Sequence, residues 1–362
     1  MSPATPRHRV RRRAGVFGAL LGVAAAAGVA AGIAAERALL RREKRGVADP
    51  YADEDFGNQP YDESLSVTSA DGIDLYVEIV EPRSSTSQPA PTVVFVHGFC
   101  LDMGTFYFQR KELAERGDRR LVFYDQPGHG RSGSLQEGEY DLGSLGEGLR
   151  AVLDAIAPAE PIVLVGHSMG GMTIMAFAEK YPEWFGARVV GVVLIATSGG
   201  EVEGAGMGLA TLAARFSAPL LPLVNGVARV SGGVIDRARA VSSDLAWLLT
   251  RRYGFGTDHP SPSLVSFVER MNSTTSAETV ARYLRTLHTH ARYPALAAMR
   301  GTPALVIVGD KDMITPVAHS EEIIRHLPDA EFIKIDDRGH VVMLEHAGAV
   351  NDALVAFLKK TG

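Results

Sequence analysis

Five short apolar runs, rich in β-branched residues, constrain the fold of this chain more than any other feature. Each run is continuously hydrophobic rather than alternating, which is typical of strands that are buried on both faces of a parallel sheet. Helix-like stretches lie between most of them, as where Leu142, Leu149 and Ile156 fall on one stripe. The runs are Val93–Val96, Leu121–Tyr124, Ile162–Val165, Val189–Ile195 and Ala304–Val308. The pattern predicts an α/β fold with a mostly parallel sheet and helices on both faces.

The predicted sheet has an antiparallel start. Asp71-Gly72 separates the strand-like residues Leu65–Ser69 from Ile73–Val80, which is a hairpin signal. Near the other end of the chain, Thr315-Pro316 predicts a helix that ends near Leu327, with Thr315 as its N-cap and the proline in its first turn.

The alternation of strands and helices stops between Ala196 and Thr302. About a hundred residues there have helical patterning and several Pro and Gly residues. We interpret residues 198–298 as a helical cap inserted into a domain of residues 64–362. A cap on the side that carries the strand C-termini would cover a site there. The alternative is a second domain that only stabilises the first.

The N-terminal segment, residues 1–35, is basic and then apolar. Ala14–Ala35 contains no charged residue, and as a helix it would be about 33 Å long, enough for a hydrocarbon core of about 30 Å. We therefore predict a membrane anchor at residues 14–35, with a cleaved secretory signal as the alternative. Five basic residues precede this run and five follow it, so the sequence gives no orientation. Residues 36–63 are interpreted as a linker.

Composition and charge exclude several classes of protein. With 46% hydrophobic and 22% charged residues, the chain is not disordered as a whole, and its single cysteine, Cys100, excludes an internal disulfide. Residues 1–46 hold ten Lys and Arg against two Glu, so the remainder, with 27 basic and 40 acidic residues, carries a charge of −13. Such a domain repels phosphate backbones, and no nucleic-acid partner is expected.

The pentapeptide Gly166-His167-Ser168-Met169-Gly170 is the strongest chemical signal. It follows the predicted strand Ile162–Val165 directly and precedes a helical run. In this strand, turn and helix context the serine hydroxyl is exposed above the sheet, and the flanking glycines let helix and strand approach closely. Ser168 is therefore the predicted nucleophile.

A serine needs a base, and the base needs a carboxylate that fixes its tautomer. His340 lies in a loop after the predicted strand Glu331–Ile335, and the order Ser, Asp, His is the one expected for this turn. Gly309-Asp310-Lys311-Asp312 follows the strand Ala304–Val308 and offers two candidates for the carboxylate.

Five motifs are arranged along residues 64–362 in a familiar order: Val96-His97-Gly98-Phe99, Asp125–Ser132, Gly166–Gly170, Gly309–Asp312 and Gly339-His340. With them the chain resembles the α/β-hydrolase family, specifically its capped serine esterase and lipase branch. The resemblance implies Asp312 as the acid, with Asp310 a solvated or capping neighbour. It also implies that the backbone N–H groups of Phe99 and Met169 form the oxyanion hole. The family's usual Asp-x-Arg-Gly is replaced here by Asp125-Gln126-Pro127-Gly128.

Other chemical motifs receive structural interpretations. His97 is expected to be a turn histidine bonded to loop backbone, with a catalytic role as the alternative, and Cys100 a small hydrophobe rather than a nucleophile. Residues 128–133 spell G-x-G-x-x-G, but the next helix is delayed to about Asp141, so no dinucleotide site is predicted. His288-x-His290 lacks a third ligand. We expect no cofactor and no metal.

The sequence thus predicts an enzyme that cleaves a small-molecule ester or lipid-like substrate through an acyl-enzyme on Ser168. A leucine-rich run of the cap, residues 209–223, would line a site for an apolar acyl chain, although packing within the cap is the simpler interpretation for most of it. A perhydrolase or haloperoxidase-like enzyme and an acyltransferase share the same triad and remain alternatives. The alternative of another class is a ligand-binding relative without activity.

Overall fold

One mixed sheet organises the described residues, which in this computed structural model are 47–83, 90–135, 140–157, 159–202 and 246–361. Its strands are β1 (Glu63–Thr68), β2 (Asp74–Val80), β3 (Thr92–Val96), β4 (Leu121–Tyr124), β5 (Ile162–His167), β6 (Val189–Ile195), β7 (Ala304–Gly309) and β8 (Glu331–Ile335). Their order across the sheet is β1-β2-β4-β3-β5-β6-β7-β8. The six strands β3 to β8 pair in parallel with their neighbours in the sheet. The pairs β1–β2 and β2–β4 are antiparallel. The predicted parallel sheet with an antiparallel start is confirmed.

The connection between β1 and β2 is longer than the three residues, 70–72, that separate the predicted strands. Thr68 pairs with Asp74, so residues 69–73 form the connection. The hydroxyl of Ser69 donates to Ile73 O at 3.0 Å and accepts the N–H of the same residue at 3.1 Å. Ser69 and Ile73, predicted as strand residues, therefore belong to the turn, because this serine closes it with its side chain.

Helices cover both faces of the sheet. On one face lie α2 (Leu142–Ile156) and α3 (Met169–Lys180); on the other lie α1 (Tyr107–Arg116), the short α7 (Val342–Glu345) and α8 (Ala347–Leu358). Successive residues of β3 alternate between the two cores: Val94 and Val96 join the first, and Val93 and Phe95 join the second. This alternation explains why the central strands read as continuous apolar runs.

Residues 47–62, which we call the N-terminal strap, lie within the predicted linker but are packed against the domain. Phe56 is buried, and its ring stacks on that of Phe267 with centroids 4.5 Å apart and lies 4.9 Å from that of Tyr107. Asp49 accepts hydrogen bonds from Ser261 and, at 2.8 Å, from the hydroxyl of Ser263. The strap therefore joins the cap to α1 of the domain.

Part of the predicted cap is described. It comprises a helix whose described part is residues 246–254, followed by α4 (Pro262–Thr274), α5 (Ala277–Thr289) and the 3₁₀ helix Tyr293–Met299. The leucine-rich run, residues 209–223, lies outside the described residues, and so does the predicted anchor, residues 14–35. Among the helices of the described ranges, none is long and apolar enough to cross a membrane.

Candidate active site

Ser168 occupies a strained turn between β5 and α3. Its φ of 52° and ψ of −119° place a residue with a side chain in a region that normally requires glycine. Two hydrogen bonds hold this geometry: the Ser168 N–H donates to Ile195 O at 3.0 Å, and the hydroxyl of Thr197 donates to Ser168 O at 2.6 Å. Ser168 thus lies at the C-terminal end of the parallel strands, with 3% of its surface exposed.

The flanking glycines are required because backbone segments meet at this turn. A Cβ atom on Gly170 would lie 1.9 Å from Val96 O, and one on Gly166 would lie 2.7 Å from the carbonyl carbon of Gly170. Neither neighbour is a flexible side chain that could move aside. The close approach of helix and strand, predicted from the pentapeptide, is present in the structure.

His340 and Asp312 are brought together from two loops at the same end of the sheet. Nδ1 of His340 lies 2.9 Å from Oδ2 of Asp312, and both side chains are buried. The other carboxylate oxygen, Oδ1, accepts the N–H groups of Ile314 at 2.8 Å and Thr315 at 2.9 Å. A carboxylate held in this way favours the tautomer of His340 that donates from Nδ1 and leaves Nε2 as the acceptor.

Thr315 does not cap the helix that follows it. The helix α6 (Val317–His326) begins after Pro316 and has no side-chain cap, whereas the Thr315 hydroxyl donates to Asp312 Oδ2 at 2.8 Å. The prediction of an N-cap was therefore wrong, because Pro316 occupies the N-cap position and the Thr315 side chain is directed to Asp312 instead of accepting a helix N–H. The predicted end of this helix near Leu327 is confirmed.

Asp310 is exposed and bonds to other partners. Its Oδ1 accepts the N–H of Arg338 at 3.3 Å, and its own N–H donates to Ile335 O of β8. Of the two carboxylates after β7, the structure places Asp312 beside His340.

The loop that carries His340 is held by a partly buried carboxylate. Glu345 accepts three backbone N–H groups, those of Gly256 at 3.0 Å, Thr257 at 2.8 Å and Gly339 at 2.7 Å. Burial raises the pKa of Glu345, while these hydrogen bonds oppose that effect. Glu345 therefore joins the histidine loop to the part of the cap that precedes α4.

Glycines make that junction possible. A Cβ atom on Gly309 would lie 2.2 Å from Arg338 O, and one on Gly339 would lie 2.5 Å from Gly256 N. The strand end, the histidine loop and the cap segment are thus in backbone contact, and the position of His340 depends on all three.

His167, the neighbour of Ser168, contacts the histidine loop directly. Its Nε2 donates to His340 O at 3.0 Å, and the two imidazole rings are 4.8 Å apart between centroids. Burial lowers the pKa of His167 well below its usual value, so this ring stays neutral. The contact brings the turn of Ser168 and the loop of His340 together.

Phe99 and Met169 offer two backbone donors near the serine. Met169 is the first residue of α3, and a Cβ atom on Gly98, which precedes Phe99, would lie 3.2 Å from Ser168 Cβ. In the described part of the chain, neither N–H has an acceptor. Two such donors at a helix start and an adjacent loop can bind a developing oxyanion.

The remaining histidine and cysteine candidates have other surroundings. His97 is fully buried, and its ring bonds to the backbone of Gly98 and Gln126. Cys100 is partly buried, and desolvation raises the pKa of its thiol to about 12, which disfavours a thiolate. His288 is exposed while His290 is buried, and the described ranges contain no group of three metal-ligating side chains.

The glycine-rich loop folds around Asp125 rather than opening into a helix. Asp125 accepts the N–H groups of Met103 at 2.9 Å and Arg131 at 2.8 Å, and α2 starts only at Leu142, as predicted.

Sequence reasoning missed Thr315 as a partner of Asp312, and it also missed Glu345. No spacing or composition signal marks either of them, since each acts through tertiary contacts.

A family model described as the alpha/beta hydrolase fold matches residues 91–347. The chain is 31% identical over 277 residues to the dihydrolipoyllysine-residue acetyltransferase component of the acetoin cleaving system of Pseudomonas putida, covering 74% of this chain and 63% of that protein. It thus spans less than two thirds of that relative. It is 29% identical to the pimeloyl-[acyl-carrier protein] methyl ester esterase of Xanthomonas campestris, covering 74% and 95% of the two chains. A monoacylglycerol lipase of Mycolicibacterium smegmatis is 26% identical, with coverage of 72% and 82%.

A solved structure agrees at the level of the fold. The thermophilic esterase of Thermogutta terrifontis superposes with a TM-score of 0.64 at 24% identity, covering 83% of this chain and 99% of the esterase. The family match extends over β3 to β8, the serine turn and both loops that carry Asp312 and His340. The chain is therefore an enzyme of the alpha/beta hydrolase family, similar to its esterases and lipases.

Proposed function

We propose that this enzyme cleaves carboxylic esters through an acyl-enzyme on Ser168. The observation that carries the proposal is the hydrogen bond between Asp312 and His340 at the sheet end where Ser168 occupies its strained turn. These residue types, in this order along the chain, form a complete nucleophile, base and acid.

The proposed first half-reaction follows from these positions. Nε2 of His340 takes the proton of the Ser168 hydroxyl as its oxygen attacks the ester carbonyl, and Asp312 stabilises the imidazolium. The N–H groups of Phe99 and Met169 bind the oxyanion of the tetrahedral intermediate. The intermediate collapses when His340 gives its proton to the leaving alcohol, and the acyl group remains on Ser168.

Water completes the proposed cycle. It attacks the acyl carbonyl while His340 again acts as the base, and the carboxylic acid leaves as Ser168 regains its proton. In each half-reaction His340 first takes a proton from the nucleophile and then gives it to the leaving group.

We further propose that the acyl chain of the substrate is apolar and the substrate lipid-like. Phe99 is partly exposed, and its ring packs 5.9 Å from that of the buried Tyr283 on α5, so Phe99 offers aromatic surface beside its own backbone donor. Each buried methylene contributes about 0.8 kcal/mol, so a few extra carbons can raise kcat/KM by one or two decades.

A series of p-nitrophenyl esters from acetyl to octanoyl tests both parts. We expect hydrolysis of all members, with kcat/KM rising from C2 to C8. A flat or falling series would overturn the apolar acyl site while leaving the ester hydrolase intact. Absence of hydrolysis throughout would count against the ester hydrolase itself.

An acyltransferase is the second candidate, because the P. putida relative is described as an acetyltransferase component. Perhydrolases and haloperoxidase-like enzymes differ from esterases in the same step, the nucleophile that accepts the acyl group. Hydrolysis in the presence of increasing hydrogen peroxide, alcohol or thiol separates the three: an esterase gives mostly free acid, and efficient transfer at low acceptor concentration would favour the alternative. A ligand-binding relative without activity would give no acyl-enzyme at all.

Membrane attachment through residues 14–35 is also a proposal, supported by the length of the uncharged run and its basic flanks. Fractionation of the native host tests it, with N-terminal sequencing of the mature protein. Recovery in the membrane fraction with an intact N-terminus is expected. Recovery in the soluble or culture fraction with a new N-terminus near Ala35 would favour the signal peptide.

A further inference from the structure

The peptide between Gly98 and Phe99 carries a proposed oxyanion donor at one end and a held carbonyl at the other. Nδ1 of His97 donates to Gly98 O at 2.8 Å. In a trans peptide the C=O and N–H bonds point in opposite directions across one rigid plane. The hydrogen bond that fixes the carbonyl of Gly98 therefore also fixes the direction of the Phe99 N–H.

The protonation of His97 is set by its other contact. Nε2 accepts the N–H of Gln126 at 2.8 Å, so it carries no proton, and the proton of the neutral ring must be on Nδ1. Burial lowers the pKa of His97 to about 3, which keeps the ring neutral at any pH where an esterase would be assayed. The backbone N–H of Gln126 thus selects the tautomer in which His97 donates to Gly98 O.

The side chain of Gln126 bonds to the two segments that carry the proposed oxyanion donors. Its Nε2 donates to His97 O at 2.6 Å, on the loop that leads to Phe99. Its Oε1 accepts the hydroxyl of Thr173 at 2.7 Å, and the same hydroxyl lies 3.0 Å from Met169 O in the first turn of α3. Gln126 is fully buried, so water does not compete for these bonds.

We infer that Gln126 is a positioning residue that sets the spacing of the two oxyanion donors, with Thr173 as its partner on α3. The inference rests on the proposed function, because it concerns the hole that Phe99 and Met169 would form. A donor displaced by a fraction of an ångström loses much of its effect on the transition state and little on the bound ester. Gln126 itself does not touch the substrate in this account.

Two nearly isosteric variants break the connection from either end. Gln126→Glu replaces the donor to His97 O by a carboxylate oxygen, which the carbonyl repels. Thr173→Val keeps the shape of the side chain and removes the hydroxyl that bonds Gln126 Oε1. Thr173→Ser is the matched control, because it keeps the hydroxyl and loses only a methyl group. If Gln126→Glu does not fold, Thr173→Val tests the same connection.

The ratio of kcat for an oxoester to kcat for the matching thionoester separates a positioning role from a merely structural one, because a structural defect would lower both rates alike. The tetrahedral intermediate of an oxoester carries its charge on oxygen, which accepts strong hydrogen bonds, whereas that of a thionoester carries it on sulfur, which accepts weak ones. For Gln126→Glu and Thr173→Val we expect kcat for the oxoester to fall about tenfold to a hundredfold, with KM nearly unchanged. We expect kcat for the thionoester to change by much less. Thr173→Ser should keep the wild-type ratio of the two rates.

Equal losses on both esters, or an unchanged ratio in both variants, would overturn the inference, and Gln126 would then be a residue of the core alone. These results differ from a failure of the proposed function. If the wild-type enzyme hydrolysed no ester, or if a fluorophosphonate did not label Ser168, the proposed function and this inference would both fall. A normally labelled and active wild type with an unchanged ratio in the variants overturns the inference only.

Discussion

Asp312 Oδ2 is shared between Nδ1 of His340, at 2.9 Å, and the hydroxyl of Thr315, at 2.8 Å. Because Asp312 Oδ1 is occupied by two backbone N–H groups, the carboxylate cannot rotate to leave the ring. His340 is therefore oriented by the carboxylate of Asp312, which is itself immobilised by backbone N–H groups of the loop that contains Asp312.

Replacement of Asp312 by Asn tests the role of this contact. The amide keeps the shape of the side chain but favours the wrong tautomer of His340, and by analogy with other triads kcat should fall by up to ~10⁴. Asp310→Asn is the matched control in the same loop. An asparagine at 310 keeps an oxygen that can accept the N–H of Arg338, and the charge it removes is exposed and screened, so a small change is expected. A larger loss of kcat for Asp310→Asn than for Asp312→Asn would show that the acid has been misassigned.

Glu345→Gln should reduce both stability and activity. The amide nitrogen would face a backbone N–H of Gly256, Thr257 or Gly339, and a donor left without an acceptor in this partly buried site costs about 1 kcal/mol of the free energy of unfolding. Because Gly339 adjoins His340, kcat should fall as well. Urea denaturation and ester kinetics measure the two effects. Glu331→Gln, an exposed carboxylate paired with Lys360, is the control and should have little effect on either. Wild-type stability and kcat in Glu345→Gln would contradict the proposed junction.

The N-terminal strap predicts how far the chain can be shortened. Deletion of residues 1–46 should leave the stability of the domain unchanged, whereas deletion of residues 1–62 removes Phe56 from the core. A buried phenylalanine replaced by alanine typically costs about 3–5 kcal/mol, so Phe56→Ala should be strongly destabilising. Tyr61→Ala, at a position with 44% exposure, is the control. Equal thermal stability of Phe56→Ala and Tyr61→Ala would show that the strap does not stabilise the domain.

Buried histidines should make the enzyme sensitive to acid. Burial lowers the pKa of His129 from 6.5 to about 4, so below pH 6.5 the unfolded chain binds more protons than the folded one. The stability that neutral His129 preserves at pH 7 is therefore lost as the pH falls from about 6.5 towards 4, at up to about 1.4 kcal/mol per pH unit. Asp125 acts in the opposite sense, because burial raises its pKa to about 7.

His129→Asn isolates that contribution. The difference in the free energy of unfolding between wild type and variant should narrow as the pH falls from 7 to 4.5. Urea titrations at four or five pH values measure it. A difference that stays constant over this range would mean that His129 titrates normally in the folded protein.

The sequence predicted those parts of the fold and site that depend on local patterns. The buried strands and the serine turn follow from continuous β-branched runs and from glycines whose Cβ atoms would meet backbone. Residues 310 and 312 could not be ranked from the residues alone, and the choice of Asp312 came from the family resemblance. Thr315 was misinterpreted because a threonine directly before a proline is a common pattern at the start of a helix. Only the tertiary structure shows that its hydroxyl bonds to Asp312.

The strap and the roles of Glu345 and Gln126 have no recognisable sequence pattern. The strap binds through several scattered side chains, Phe56 and Asp49 among them, in a polar segment without periodicity, so it was interpreted as a linker. Glu345 and Gln126 bond to residues that are distant in sequence, and their roles arise only when the sheet brings those segments together. Positions that act through tertiary contacts are the ones that sequence periodicity cannot show.

The central claim is that Ser168 is the nucleophile, and its replacement by alanine tests this most directly. Purified wild-type enzyme and Ser168→Ala are compared in labelling by a fluorophosphonate probe, in ester hydrolysis and in thermal unfolding. We expect the variant to lose labelling and to lose nearly all hydrolysis while it unfolds at close to the wild-type temperature; a residual rate above that in water is consistent with binding and the oxyanion hole alone. Full labelling or undiminished kcat in Ser168→Ala would contradict the account.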